Sequence, residues 1–142
     1  MRMVLRLLPL LCFGLLLGQC KSTRYTTDNL PEKQLLFGSG GGFAGAYTTY
    51  ILLENGQCFR LRQPGDQMEA LPNLGRSATK KLWAEADALA MKDYAYNNPG
   101  NMSYYLEIKQ DSTRNRLTWS DMAPVERQDI LDFYQKLMNS IK

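Results

Sequence analysis

The chain of 142 residues contains no histidine. That absence excludes serine–histidine–aspartate and cysteine–histidine nucleophilic catalysis, and every metal site built on an imidazole. Cysteine is scarce, with three in all. Cys12 falls in an apolar leader, which leaves Cys20 and Cys58, too few for a cysteine zinc site. Paired carboxylates occur only as helix neighbours, Asp129 with Asp132 and Glu85 with Asp87, a pattern usual for solvated faces. A two-carboxylate sugar hydrolase needs a walled cleft that a chain this short hardly supplies. The expectation is a protein that is not an enzyme, with no catalytic residue, metal ligand or cofactor. Charge excess is also missing. The chain has 17 basic and 14 acidic residues, and loss of a leader carrying Arg2 and Arg6 leaves 15 against 14. Such a balance provides no electrostatic case for nucleic acid.

What is present begins with the leader. Arg2 and Arg6 make a basic start, and Leu7 to Gly18 is an apolar run interrupted by Pro9 and Gly14. It is shorter than the roughly 18 residues of a spanning helix, so it reads as an export signal. Leu17-Gly18-Gln19-Cys20 resembles a bacterial lipobox through Leu17, Gly18 and Cys20. Gln19 stands where that motif usually holds a small residue. The resemblance implies a signal peptide over 1–19, lipidation of Cys20, and a membrane-anchored protein of the cell envelope on its periplasmic or surface face. Ordinary cleavage, giving a secreted protein, is the alternative. In it Cys20 could pair with Cys58; in the lipoprotein reading Cys58 is a lone thiol.

Residues 20–32 are polar and turn-rich and read as a tether, able to reach roughly 40 Å when extended. The competing reading packs this arm on the domain, with Tyr25 and Leu30 as its apolar contacts. Residues 33–142 then form a single domain.

Five of the nine residues from Phe37 to Gly45 are glycine. Glycine loses more backbone entropy on folding than any other residue, so this cluster needs a reason. A phosphate cradle would lead into a helix. Here Tyr47 to Leu53 is β-branched and aromatic and reads as a strand. The glycines are therefore either a wide turn or bulge plugged by Phe43, or a partner-binding loop of Gly40, Gly41, Gly42, Phe43, Ala44 and Gly45.

Asn55-Gly56 between two strand-like runs signals a hairpin. A two-residue turn pairs Leu53 with Cys58, Leu52 with Phe59 and Tyr50 with Leu61. Thr48, Tyr50, Leu52, Phe59 and Leu61 then share the core face. Tyr47, Thr49, Ile51, Leu53, Cys58, Arg60 and Arg62 share the other. That second face is either solvated, with arginines lying along Tyr47, or a partner patch in which Tyr47, Arg60 and Arg62 join the glycine loop.

Residues 63–76 read as a loop, and Ser77 as the cap of a helix to about Met91 with Leu82, Trp83, Ala86, Leu89 and Ala90 inward. After a loop carrying Tyr94 and Tyr96, the run 102–109 alternates, placing Met102, Tyr104, Leu106 and Ile108 on a buried face. Residues 115–119 return with Leu117 and Trp119 inward. Ser120 or Asp121 caps a final helix, with Pro124 in its first turn and Ile130, Phe133, Tyr134, Leu137, Met138 and Ile141 as its stripe. The order ββ(β)αββα predicts an α+β domain: an antiparallel sheet of about four to five strands with both helices on one face.

Gly41-Gly42-Phe43-Ala44-Gly45 following a short strand resembles the opening signature of the emfourin-type inhibitors, small bacterial proteins that inhibit thermolysin-like metalloproteases. The run Ser103 to Ile108 and the apolar C-terminal helix are similar in order. The resemblance implies a protein-binding module with an exported protease as partner. Two other expectations stand beside it: a structural or assembly lipoprotein, and a binder of small ligands using Tyr94, Tyr96 and the glycine loop.

Overall fold

The computed structural model describes residues 23–142. It is an α+β domain with six strands: β1 Gln34–Gly41, β2 Ala46–Leu52, β3 Cys58–Gln63, β4 Gln67–Leu71, β5 Met102–Gln110 and β6 Thr113–Ser120. Helix α1 spans Arg76–Ala88 and α2 spans Gln128–Ser140, with a short 3-10 turn at Met91–Asp93. The sheet is antiparallel throughout, in the order β4-β3-β2-β1-β5-β6. β1 is thus hydrogen-bonded on both sides, by β2 and by β5.

One sheet face carries both helices. Leu35, Phe37, Leu52, Cys58, Leu106, Leu117 and Trp119 from the strands form one cluster with Leu82, Trp83 and Ala86 of α1 and Ile130, Phe133 and Leu137 of α2. The apolar stripes have the helical spacing read from the sequence, except that α1 ends at Ala88 and the expected inward Ala90 lies beyond it, exposed. A second, smaller cluster lies on the opposite face: Ile51, Leu53 and Phe59 under Tyr25 and Leu30.

The strand count exceeds the expected four to five because two runs with a loop-like pattern are strands. β4 lies inside the stretch 63–76, where Pro64-Gly65-Asp66 is only the turn between β3 and β4. β1 absorbs Gly38, Gly40 and Gly41, which the sequence placed in a loop. Helix ends also moved. α1 starts after Gly75 with no side-chain cap, so Ser77 lies inside the helix. α2 begins at Gln128, and Ser120 instead pairs with Ala123 in a tight turn.

The β2–β3 register differs from the expected one by a single residue. The pairs are Leu52 with Cys58, Ile51 with Phe59, Tyr50 with Arg60 and Thr49 with Leu61. The connection is not a two-residue Asn-Gly turn. Leu53 to Gln57 all lie in it, closed by Leu53 N–H to Gln57 O at 3.0 Å and Gly56 N–H to Leu53 O at 3.0 Å. One residue of slip moves a strand's side chains to the opposite face. Cys58 therefore joins Leu52 in the main core, and Phe59 joins Ile51 under the arm. The arm itself, expected as part of a free tether, lies on the sheet from Thr23 onward.

Alternation in β5 also misleads. Ser103, Tyr105 and Glu107, expected outward, are all buried. Arg116 covers Tyr105, its guanidinium 3.8 Å from the ring centre. Arg116 and Arg114 flank the Glu107 carboxylate at 3.3 and 3.8 Å. A buried carboxylate needs such countercharge.

Glycine in β1 explains why Tyr105 can sit there. A Cβ on Gly38 would lie 2.0 Å from the Thr48 carbonyl oxygen and 3.0 Å from the Tyr105 hydroxyl, and one on Gly40 would lie 2.3 Å from the Tyr47 ring. The strand is bare on that face so that two tyrosines can lie across it. Gly38→Ala should cost about 2 kcal/mol or more through overpacking. Gly45→Ala meets no neighbour within 4 Å but keeps a left-handed φ of 59°, so its cost should stay near about 1 kcal/mol. Urea unfolding midpoints at constant slope measure both.

Candidate functional site

The β1–β2 turn is Gly42-Phe43-Ala44-Gly45, between the paired residues Gly41 and Ala46. Its backbone is held from two directions. Gly42 N–H donates to Asn101 O at 2.6 Å, and Gly45 N–H donates to Gly42 O at 3.1 Å. Beneath it, β1 is anchored by Tyr134 of α2, whose hydroxyl donates to Gly38 O at 3.1 Å. The result is a supported hairpin tip.

Phe43 is fully exposed on this tip, at 111% of its reference area. It is not the plug that one reading of the sequence expected. Among the described residues, the exposed large hydrophobics are Phe43, Met102 and Met122. All three lie at one end of the sheet. Met102 pairs with Gly41. Met122 follows Ser120, whose partner in β5 is Ser103. The sequence placed Met102 on a buried face and Met122 in a helix start. A signal for Met122 was available: it lies between the turn-forming Ser120-Asp121 pair and Pro124, with no periodic partner.

Below the tip is an aromatic floor. Tyr104 and Trp119 stack at 6.3 Å, and Tyr134 meets Trp119 edge-on at 5.0 Å. The Tyr104 hydroxyl donates to Asp121 at 3.4 Å. Burial pushes the Tyr134 phenol well above the usual tyrosine range. The Tyr105 phenol is raised by burial as well, and its hydroxyl shares a hydrogen bond with Thr49. These rings support the tip, Tyr105 buried and Tyr104 and Tyr134 partly so.

The remaining expected site residues separate. Tyr47 lies across Gly40, on the face away from the helices, beside the tip. Arg60 pairs with Tyr50 and Arg62 with Thr48, which puts both arginines on the helix-bearing face. The one-residue register change accounts for this. Both are already engaged: Arg60 contacts Glu69 at 2.6 Å and Arg62 at 3.8 Å. Gly40, Gly41, Gly42, Phe43, Ala44, Gly45 and Tyr47 thus form one locus, without Arg60 and Arg62. Cys20 lies outside the described residues.

Tyr94 and Tyr96 stack at 6.2 Å but do not meet the glycine turn. Residues 96–98 pair along the outer edge of β6, so β5 and β6 stand between them and β1. A hollow of about 330 Å³ beside Tyr94 is lined by Lys92, Arg114 and Arg116 and contains no tip residue. Among the described residues no three histidine, cysteine, aspartate or glutamate side chains gather as a metal site. No described helix is long and apolar enough to cross a membrane. No protein-family model and no curated protein matches the chain.

Among the described residues Cys58 is a free, buried thiol, and burial pushes its pKa up from 9.0 to about 11. A raised folded pKa means stability present below the unfolded value and lost as pH rises through the folded one. Unfolding free energy should therefore decline from about pH 9 to 11, with Tyr105 and Tyr134 adding to the decline at the upper end. Cys58→Ala should flatten its first part. Thiol reagents at pH 8 should leave Cys58 unmodified until urea unfolds the domain. Urea melts across that pH range, with mass measurement of the labelled protein, check both outcomes.

Proposed function

We propose that this chain is a cell-envelope lipoprotein, anchored through Cys20, whose domain binds a protein partner through the 40–45 tip and Tyr47 without turning it over. One observation carries the reading: a phenylalanine held fully exposed on a hairpin tip whose backbone is fixed by its neighbours. An aromatic left in water on a rigid support suits an interface anchor, because aromatic residues are enriched at the cores of interfaces. Ordering costs little on binding when the loop is already in place. Met102 and Met122 extend the apolar area, and methionine adapts its shape to varied surfaces.

The resemblance of Gly41 to Gly45 to the emfourin-type signature supports one class of partner for this proposal, an exported thermolysin-like metalloprotease. In this reading Phe43 enters the protease while the glycines let the turn lie against its backbone. The loss of Arg60 and Arg62 from the locus makes the contact chiefly apolar.

Phe43→Ala should weaken binding by about 2 kcal/mol or more and leave the urea midpoint within error, because the ring packs against nothing. Peptide hydrolysis by a thermolysin-like protease, titrated with the lipid-free domain, reads the inhibitor version. Unchanged hydrolysis at micromolar domain removes it. A crosslinking capture from solubilised envelope, wild type beside Phe43→Ala, reads the broader version. A single stoichiometric partner retained equally by both would instead favour the assembly-lipoprotein reading, with the tip uninvolved.

A further inference from the structure

Gln57 is buried, at 8% exposure, at the end of the sheet opposite the tip. Both ends of its carboxamide hold one residue of the arm. Oε1 accepts the Tyr25 backbone N–H at 2.7 Å, and Nε2 donates to the Tyr25 carbonyl at 3.0 Å. The side chain thus imitates a strand rung. Asn55 adds a second hold, its Nδ2 donating to Thr23 O at 2.7 Å and to Gln57 Oε1 at 2.7 Å. Tyr25 and Leu30 then cover Ile51, Leu53 and Phe59. The arm is therefore fastened at the β2–β3 end of the domain, from Thr23 onward.

This fastening sets a leash length. Only Lys21 and Ser22 lie between Cys20 and Thr23. That is a reach of about 10 Å, against roughly 40 Å if residues 20–32 were free. β1 runs its eight residues from this end to the tip, about 25 Å. A free tether would allow the domain to invert and press Phe43, Met102 and Met122 into its own bilayer, where exposed apolar side chains are stabilised. A 10 Å leash cannot let the β2–β3 end rise that far.

We propose that the Gln57–Asn55 clamp stands the domain on its membrane with the β2–β3 end inward. The Phe43 tip then faces the aqueous side and a protein approaching from there. This rests on lipidation of Cys20, as proposed above.

The test uses the full lipidated chain in phosphatidylethanolamine–phosphatidylglycerol vesicles that contain bromine-labelled acyl chains. A fluorophore is attached at Asn73→Cys, exposed beside the β2–β3 end, or at Ala44→Cys on the tip; buried Cys58 is spared. Quenching should be severalfold stronger at 73 than at 44. Gln57→Ala should erase that difference. A ten-residue Gly-Ser insertion between Ser22 and Thr23 should erase it too, and leaves the folded domain untouched if Gln57→Ala fails to fold. Equal quenching at both positions in the unaltered leash, or a difference that survives the insertion, overturns the orientation alone. Absence of an acyl mass on Cys20 overturns the anchor, and the orientation with it.

Discussion

The structure depends on the close approach of Tyr47 and Tyr105 to the bare face of β1. β1 is the strand on which the sheet is centred, and its two faces are built differently. Toward the helices it presents Leu35 and Phe37, both fully buried. Away from them it presents Gly38 and Gly40, and the tyrosines of the neighbouring strands fill the space. Tyr105 reaches Thr49 of β2 across Gly38, so one buried hydrogen bond ties the strands on either side of β1 together. Glycine weakens a strand through entropy and lost packing. Here the rings of adjacent strands restore the packing, and the sheet needs no helix on that half.

The same arrangement makes the tip firm. A glycine-rich turn alone would be mobile, and ordering it would tax any partner's affinity. This turn is bounded by a strand hydrogen-bonded on both sides, tied laterally to Asn101, and backed by Tyr134 through the Gly38 carbonyl. Phe43 is the one large side chain in the turn and has no intramolecular role. The opposite end is specialised in another way, for holding the arm. The two ends share a logic: polar groups of neighbouring segments fix a backbone, leaving side chains free for other contacts.

Much of this was legible. Period-two and helical spacing located β2, β3, β5, β6 and both helices, because each buries an apolar stripe whose spacing is local. Three features were not. β4, with the sequence Gln-Met-Glu-Ala-Leu, is an edge strand with little buried surface, and its pattern resembles a loop. Asn55-Gly56 favours a two-residue turn, yet Gln57 is recruited to the arm and Asn55 holds it, which draws five residues into the connection. Burial of Tyr105 and Glu107 could not be read from β5 itself. It follows from glycines in β1 and arginines in β6.

By itself, the amino-acid order determined the class of the fold, the absence of imidazole chemistry and the glycine-phenylalanine turn as a point of interest, since each depends on residue type or on neighbours within a few positions. Only the assembled tertiary structure decided which face each side chain joined and where the arm ended. It also decided that Phe43 faces water while Arg60 and Arg62 belong to a different surface. Register is settled by contacts between distant segments, and a shift of one residue reverses every side chain on a strand.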